Sequence, residues 1–147
     1  MKKIYRSVGA IIFYKGKYLI QHRDNKKSIF FPNFWGVFGG SVKNKEDKKK
    51  AISRELKEEL NLIFKKPVKK LTLKISSNNF NPTRERTFYM CEPEIIPKKI
   101  RIYEGKTFAL LSFDKIKKLK FIPWDFSAIS YHYYEIVKKY QILPKKK

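Results

Sequence analysis

GGSVKNKEDKKKAISRELKEELNL, residues 39–62, is the stretch on which the reading of the chain turns. The protein carries 35 lysines and arginines against 13 aspartates and glutamates, a formal net charge of +22. Its scarce acid is nevertheless concentrated here, with Glu55, Glu58 and Glu59 in one short run. On a helix over residues 47–60, at about 3.6 residues per turn, Ile52, Leu56 and Leu60 recur at every fourth position and form an apolar stripe. The three glutamates fall on the adjacent stripe, with Ala51 in its middle one turn back, where a small side chain leaves room for a ligand. Carboxylates this close repel one another unless a cation sits among them. Hard oxygen donors suit Mg²⁺ or Mn²⁺, and Mg²⁺ completes its shell with substrate phosphate oxygens. Arg54 and Lys57 border the cluster, where charge-assisted hydrogen bonds can orient its carboxylates.

Glutamates interleaved with lysines are also the pattern of a solvated helix face. The upstream residues weigh against that reading. WGVFGG is a short apolar strand ending in Gly39 and Gly40, which lets backbone approach a ligand closely. Glu46 follows at the start of the helix, where its charge favours the dipole.

The same spacing resembles the Nudix box, G-x5-E-x7-R-E-U-x-E-E-x-G-U, with U an aliphatic residue. Gly40, Glu46, Arg54, Glu55, Leu56, Glu58, Glu59 and Leu62 fill eight of its nine defined positions, and Asn61 stands where the family has glycine. That glycine ends the helix in a left-handed conformation, which asparagine adopts next most readily, so the chemistry is left intact. The resemblance implies an α/β fold, an α/β/α sandwich with a mixed β-sheet and a catalytic loop-helix. It implies hydrolysis of the diphosphate linkage in a nucleoside diphosphate linked to X, with Mg²⁺ or Mn²⁺. Carried over residue by residue, Glu55, Glu58 and Glu59 are the metal set with Gly40 beside them, Arg54 orients a glutamate, and Gly39 and Glu46 support. Glu58 is the first choice for general base. Glu104 in YEGK resembles a Glu-Gly that adds a carboxylate in MutT-like members, and is otherwise an ordinary loop acid. Glu85, Glu92 and Glu94 are weaker candidates of the same kind.

Substrate choice lies outside the box. QHRDNKKSIFFPNFWG offers Arg23 and Lys26 or Lys27 for phosphates, and Phe30, Phe31, Phe34 and Trp35 for stacking on a base. For Trp35 and Phe38, packing is the favoured role. Tyr131, His132, Tyr133 and His22 also read as packing or structural residues, since neither histidine has a triad partner pattern nearby.

Residues 7–22 read as two strands, SVGAIIFY and KYLIQH, joined by a hairpin at Lys15-Gly16. VKKLTLKIS and RTFYMCE are two further strands separated by turn-rich sequence, and FALLSF is another. Ser112 caps a short helix, and Asp125 can cap a final one beginning FSAISYHYY. Interleaved strands and helices give the α/β class. A hydrophobic fraction of 42% suffices for a core, and no repeat or linker divides the chain, so a single domain over residues 1–147 is expected. Cys91 is alone, which excludes a disulfide framework. No run is long and apolar enough for a bilayer, and the start lacks a signal-peptide layout; a cytoplasmic protein is expected.

The lysines are spread in pairs and triplets, the pattern of a solvated surface, although so basic a protein is also suited to polyanions. The leading reading is therefore a pyrophosphohydrolase acting on a (d)NTP or a nucleotide sugar. Processing of RNA 5′ ends is the alternative the charge would suit. A non-catalytic nucleotide-sensing module is disfavoured by the intact carboxylate set. The nucleotide base, the group X and the choice between monomer and homodimer stay open.

Overall fold

The computed structural model describes residues 4–61, 67–77, 80–93 and 107–138. Its sheet is built around β1 (Ile4–Tyr14), whose middle reads as a continuous apolar run because both of its faces are covered. Val8, Ala10 and Ile12 point to one side and Ile11 to the other, each fully or almost fully buried. β2 (Lys17–His22) returns antiparallel through Lys15 and Gly16, both at positive φ, as a tight hairpin turn of this hand requires.

β3 (Trp35–Gly36) pairs with β2, and β4 (Phe38–Ser41) pairs with β1. α1 (Lys48–Leu60) follows, then β5 (Val68–Ser77) and β6 (Phe80–Cys91), which pair antiparallel. β6 runs parallel to β1, and β7 (Thr107–Leu111) adds antiparallel to β2, so the sheet is mixed. α2 (Phe113–Ile116) and α3 (Pro123–His132) close the chain's described part, with a π-helical continuation over Tyr133–Lys138.

Two cores lie on the two faces of this sheet. On one, Ala51, Ile52, Leu56 and Leu60 of α1 pack on Val8, Ala10, Ile12, Leu19 and Phe38. Truncating a fully buried residue such as Leu56 to alanine costs about 2–5 kcal/mol. On the other, Phe113 and Ile116 of α2 and Ala128 and Ile129 of α3 pack on Ile11, Ile20 and Phe88. This is the α/β/α sandwich expected.

Several local expectations are corrected. WGVFGG is not one strand: it changes partners at Val37, whose N–H leaves the ladder to reach Asp125 Oδ2 at 3.0 Å. Asp125 is accordingly no helix cap; α3 begins at Pro123 with Ile122 at the cap position, and Asp125 is buried inside its first turn. Ala51 leaves no room for a ligand, since it is fully buried in the core under α1. Glu46 precedes the helix rather than standing in its first turn, which holds no acid. The turn-rich stretch before RTFYMCE is largely strand, since β6 begins at Phe80, and FALLSF ends as a strand at Leu111. Two other expectations hold. Ser112 caps α2, and Asn61 ends α1 at φ 53° and ψ 34°, the left-handed stop its side chain tolerates. Among the described residues no helix is long and apolar enough to cross a membrane.

Candidate active site

The acidic site is assembled where β4 ends under α1. β4 is held antiparallel to β1, with Gly39 opposite Gly9 and Gly40 opposite Val8. The apolar stripe of α1 lays the helix across this strand end, so its carboxylates meet bare backbone. A Cβ at Gly40 would run into the Glu55 carboxylate, and one at Gly39 into the Val8 carbonyl. Only glycine permits that approach. Glu59 is 3% exposed, and its Oε1 accepts the Gly39 N–H at 3.0 Å.

Arg54 ties the remaining acids together. Its Nε and Nη2 bind Glu46 at 2.8 and 2.9 Å as a fork, and Nη2 also donates to the Ser41 carbonyl at 3.0 Å. Nη1 donates to Glu55 at 2.9 Å and to Glu58 at 3.3 Å. All five guanidinium donors are thus engaged, which a lysine with three donors at one point cannot reproduce. The Arg54 fork, helped by the Lys43 N–H, holds the Glu46 carboxyl down at about 2, and the same contacts raise the Arg54 guanidinium. Glu46, Glu55, Glu58 and Glu59 therefore span a graded edge. Glu59 is buried and Glu58 is the most open, its side chain 55% exposed.

The donor set is chemically that of a hard divalent cation, carboxylate oxygens alone. Among the described residues no three acidic, histidine or cysteine side chains are already drawn around one point, and Arg54 Nη1 bridges Glu55 and Glu58. The glycine-backed face of Glu55 and the exposed carboxylate of Glu58 are compatible with such an ion. Glu85 is occupied differently: Lys48 at 2.6 Å, with Arg6 at 3.7 Å, binds it and lowers its carboxyl below the usual range.

A cleft of about 250 Å³ opens beside Gly39, Gly40 and Ser41. Arg23, Arg84 and Arg86 line it together with Phe30, Phe31 and Trp124. Arg23 Nε binds the Phe30 carbonyl at 3.0 Å, fixing the loop that carries the two phenylalanines. Arg86 Nε binds Asp125 Oδ1 at 2.9 Å, and Nη1 reaches the Val8 carbonyl at 3.0 Å. Phe34 and Trp35 are not brought into this cleft. Phe34 packs on Phe31 with ring centroids 5.1 Å apart, and Trp35 stacks on His22 at 4.8 Å. His132 is buried with Nδ1 2.7 Å from the Tyr18 hydroxyl, and Tyr133 stacks on Phe113 at 4.3 Å. Lys26, Lys27 and Tyr131 are exposed. Leu62, Glu94 and Glu104 lie outside the described residues.

A family model described as the NUDIX domain matches residues 3–131. The chain belongs to the Nudix family. Nudix hydrolases are generally pyrophosphohydrolases of nucleoside diphosphate derivatives and generally use divalent metals. Solved structures agree on the fold. A NUDIX hydrolase from Nitrosomonas europaea superposes with a TM-score of 0.76 at 18% identity, covering 98% of each chain. A MutT protein from Methanosarcina mazei Go1 gives 0.71 at 21%, over 86% of this chain and 90% of its own. The NUDIX domain of NrtR from Shewanella oneidensis, solved with ADP ribose, gives 0.74 at 17%, over 88% of this chain and 86% of its own. A search by sequence among curated proteins finds no match.

Beside the Nudix box, the cleft residues Arg84, Arg86, Trp124 and Asp125 were not singled out as site residues by sequence. One signal for two of them was present. Arg84 and Arg86 flank Glu85, and the two-residue period of a strand puts both arginines on one face and the glutamate on the other. Glu85 faces Lys48 of α1, and the arginines face the cleft.

Proposed function

We propose that this Nudix hydrolase cleaves the diphosphate linkage of a (d)NTP or a nucleotide sugar with Mg²⁺ or Mn²⁺. The observation that supports this best is the Arg54 fork, which gathers Glu46, Glu55 and Glu58 at a glycine strand end beside a cleft of arginines and aromatics. Glu55, Glu58 and Glu59 would hold the cation, with the Gly40 backbone alongside. When bound, the ion neutralises the diphosphate and lowers the pKa of a coordinated water. Arg54 keeps Glu55 and Glu58 oriented, and Gly39 does the same for Glu59. Glu58, the open carboxylate of the set, takes the proton of the attacking water, and Glu104 is the second candidate for that step.

The test is a panel of (d)NTPs, nucleotide sugars, dinucleoside polyphosphates and capped RNA with Mg²⁺, followed by release of phosphate products. Activity in the wild type and its loss in Glu58→Gln are expected; a Glu58→Gln protein as active as wild type refutes the assignment. Action on RNA 5′ ends is the second reading. Arg6, Lys43 and Lys45 line a groove of about 700 Å³ that runs along Glu46. RNA affinity that stays flat as salt is raised would remove it.

A further inference from the structure

The charges of the cleft do not balance. Among the described residues, Asp125 is the acid that lines it, and Asp125 is paired with Arg86. Arg23 and Arg84 line the same space, and neither forms an ion pair among the described residues. Arg84 is held instead by aromatic faces: its guanidinium carbon lies 4.0 Å from the Phe30 ring centroid and 4.7 Å from that of Tyr5. Stacking of this kind fixes the plane of a guanidinium and leaves its in-plane N–H groups for an acceptor. The backbone places it well, since Tyr5 and Arg84 are direct partners in the parallel β1–β6 pair. The Tyr5 hydroxyl in turn hydrogen-bonds Ser41 Oγ, and the Ser41 carbonyl receives Arg54 Nη2. The stacked arginine and the carboxylate cluster are thus joined by one short chain of contacts.

Two cations without acid partners in a cleft attract an anion more than they suit a neutral ring. The diphosphate that is cut would be met by the cation that the carboxylate cluster is proposed to hold. We propose that Arg84, held by Phe30 and Tyr5 and assisted by Arg23, is a specificity-determining anion seat. It selects substrates carrying a phosphoryl group beyond the diphosphate, such as a nucleoside triphosphate, over those whose X is a neutral sugar. This rests on the diphosphate-cleaving reading above and narrows its substrate class.

The experiment compares kcat/KM for nucleoside triphosphates and for the corresponding nucleoside diphosphate sugars in wild type, Arg84→Gln and Arg84→Lys. The wild type prefers the triphosphate. Arg84→Gln lowers the ratio of the two values by about tenfold or more, the scale of one charge-assisted hydrogen bond, and Arg84→Lys recovers part of it. A wild type that prefers the sugar, or an Arg84→Gln that lowers both values equally, overturns the proposal. Should the wild type cut neither compound, the diphosphate-cleaving reading fails by itself. The seat is then decided by calorimetry with inorganic triphosphate in the absence of metal. Binding weakened about tenfold in Arg84→Gln supports the seat, and unchanged binding overturns it.

Discussion

Replacing Gly40 by alanine probes the point where strand end and helix meet. The new methyl would stand 2.7 Å from Glu55 Oε2 and nearer still to the rest of that carboxyl, whereas ordinary contact begins at 3.4 Å. The carboxylate must therefore retreat by at least the 0.7 Å difference. It cannot do so alone, because Arg54 Nη1 holds Glu55 at 2.9 Å and the same nitrogen reaches Glu58 at 3.3 Å. Either that bond breaks, or Arg54 follows and disturbs its fork on Glu46. Displacements of about 1 Å in a reacting constellation cost on the order of 100-fold in rate. The fold should barely register the change. Gly40 is not among the positive-φ residues, so alanine is not strained there, and it lowers unfolded-chain entropy by an equivalent of about 0.4–1 kcal/mol. Phosphate release with Mg²⁺ is expected to fall about 100-fold, with the urea midpoint within about 1 kcal/mol of wild type. Activity within about threefold of wild type would refute the claim that Glu55 must sit against a bare backbone.

Arg54→Lys keeps the charge but not the fork, and should cost about 10–100-fold in activity. Carboxyl NMR should show Glu46 leaving its value of about 2 for the ordinary range, and an unmoved Glu46 would contradict the hydrogen-bond origin of its shift. Because the folded-state value lies below the usual 4.5, Glu46 stabilises the fold above pH about 4.5 and loses that contribution as pH falls toward about 2. The urea-midpoint difference between wild type and Glu46→Gln should accordingly be present at pH 6 and shrink across that window. Asp125→Asn leaves the mostly buried Arg86 without its counter-charge and should destabilise by about 3 kcal/mol. Adding Arg86→Met should recover part of that loss in a double-mutant cycle.

What could be read from sequence follows from how far apart the partners lie. The box is one continuous strand end, loop and helix, so its spacing could be matched to the family's, and that resemblance implied Glu55, Glu58 and Glu59 with Gly40 beside them. The structure sets Glu55 against Gly40 and Glu59 against Gly39 and leaves Glu58 open. The helix stop at Asn61 was legible from its residue type. Arg54 was readable as a neighbour of the acids, though its fork on Glu46, eight residues away, needed the loop's return. Ala51 was misjudged because helical periodicity assigns a face but not how closely the sheet approaches it. Asp125 was misjudged for the opposite reason. Its local position allows a cap, while its actual partners are Val37, 88 residues away, and Arg86, 39 away. The same distance explains the aromatics. Phe30 and Phe31 reach the cleft and Phe34 and Trp35 do not, within one short loop whose path is set by Arg23. A cleft drawn from β1, β2, β4, β5, β6, α3 and that loop has no signature in any one stretch. The box could therefore be recognised before the fold was, whereas the cleft that carries the proposed anion seat became legible only with the sheet register that sets Arg84 beside Tyr5.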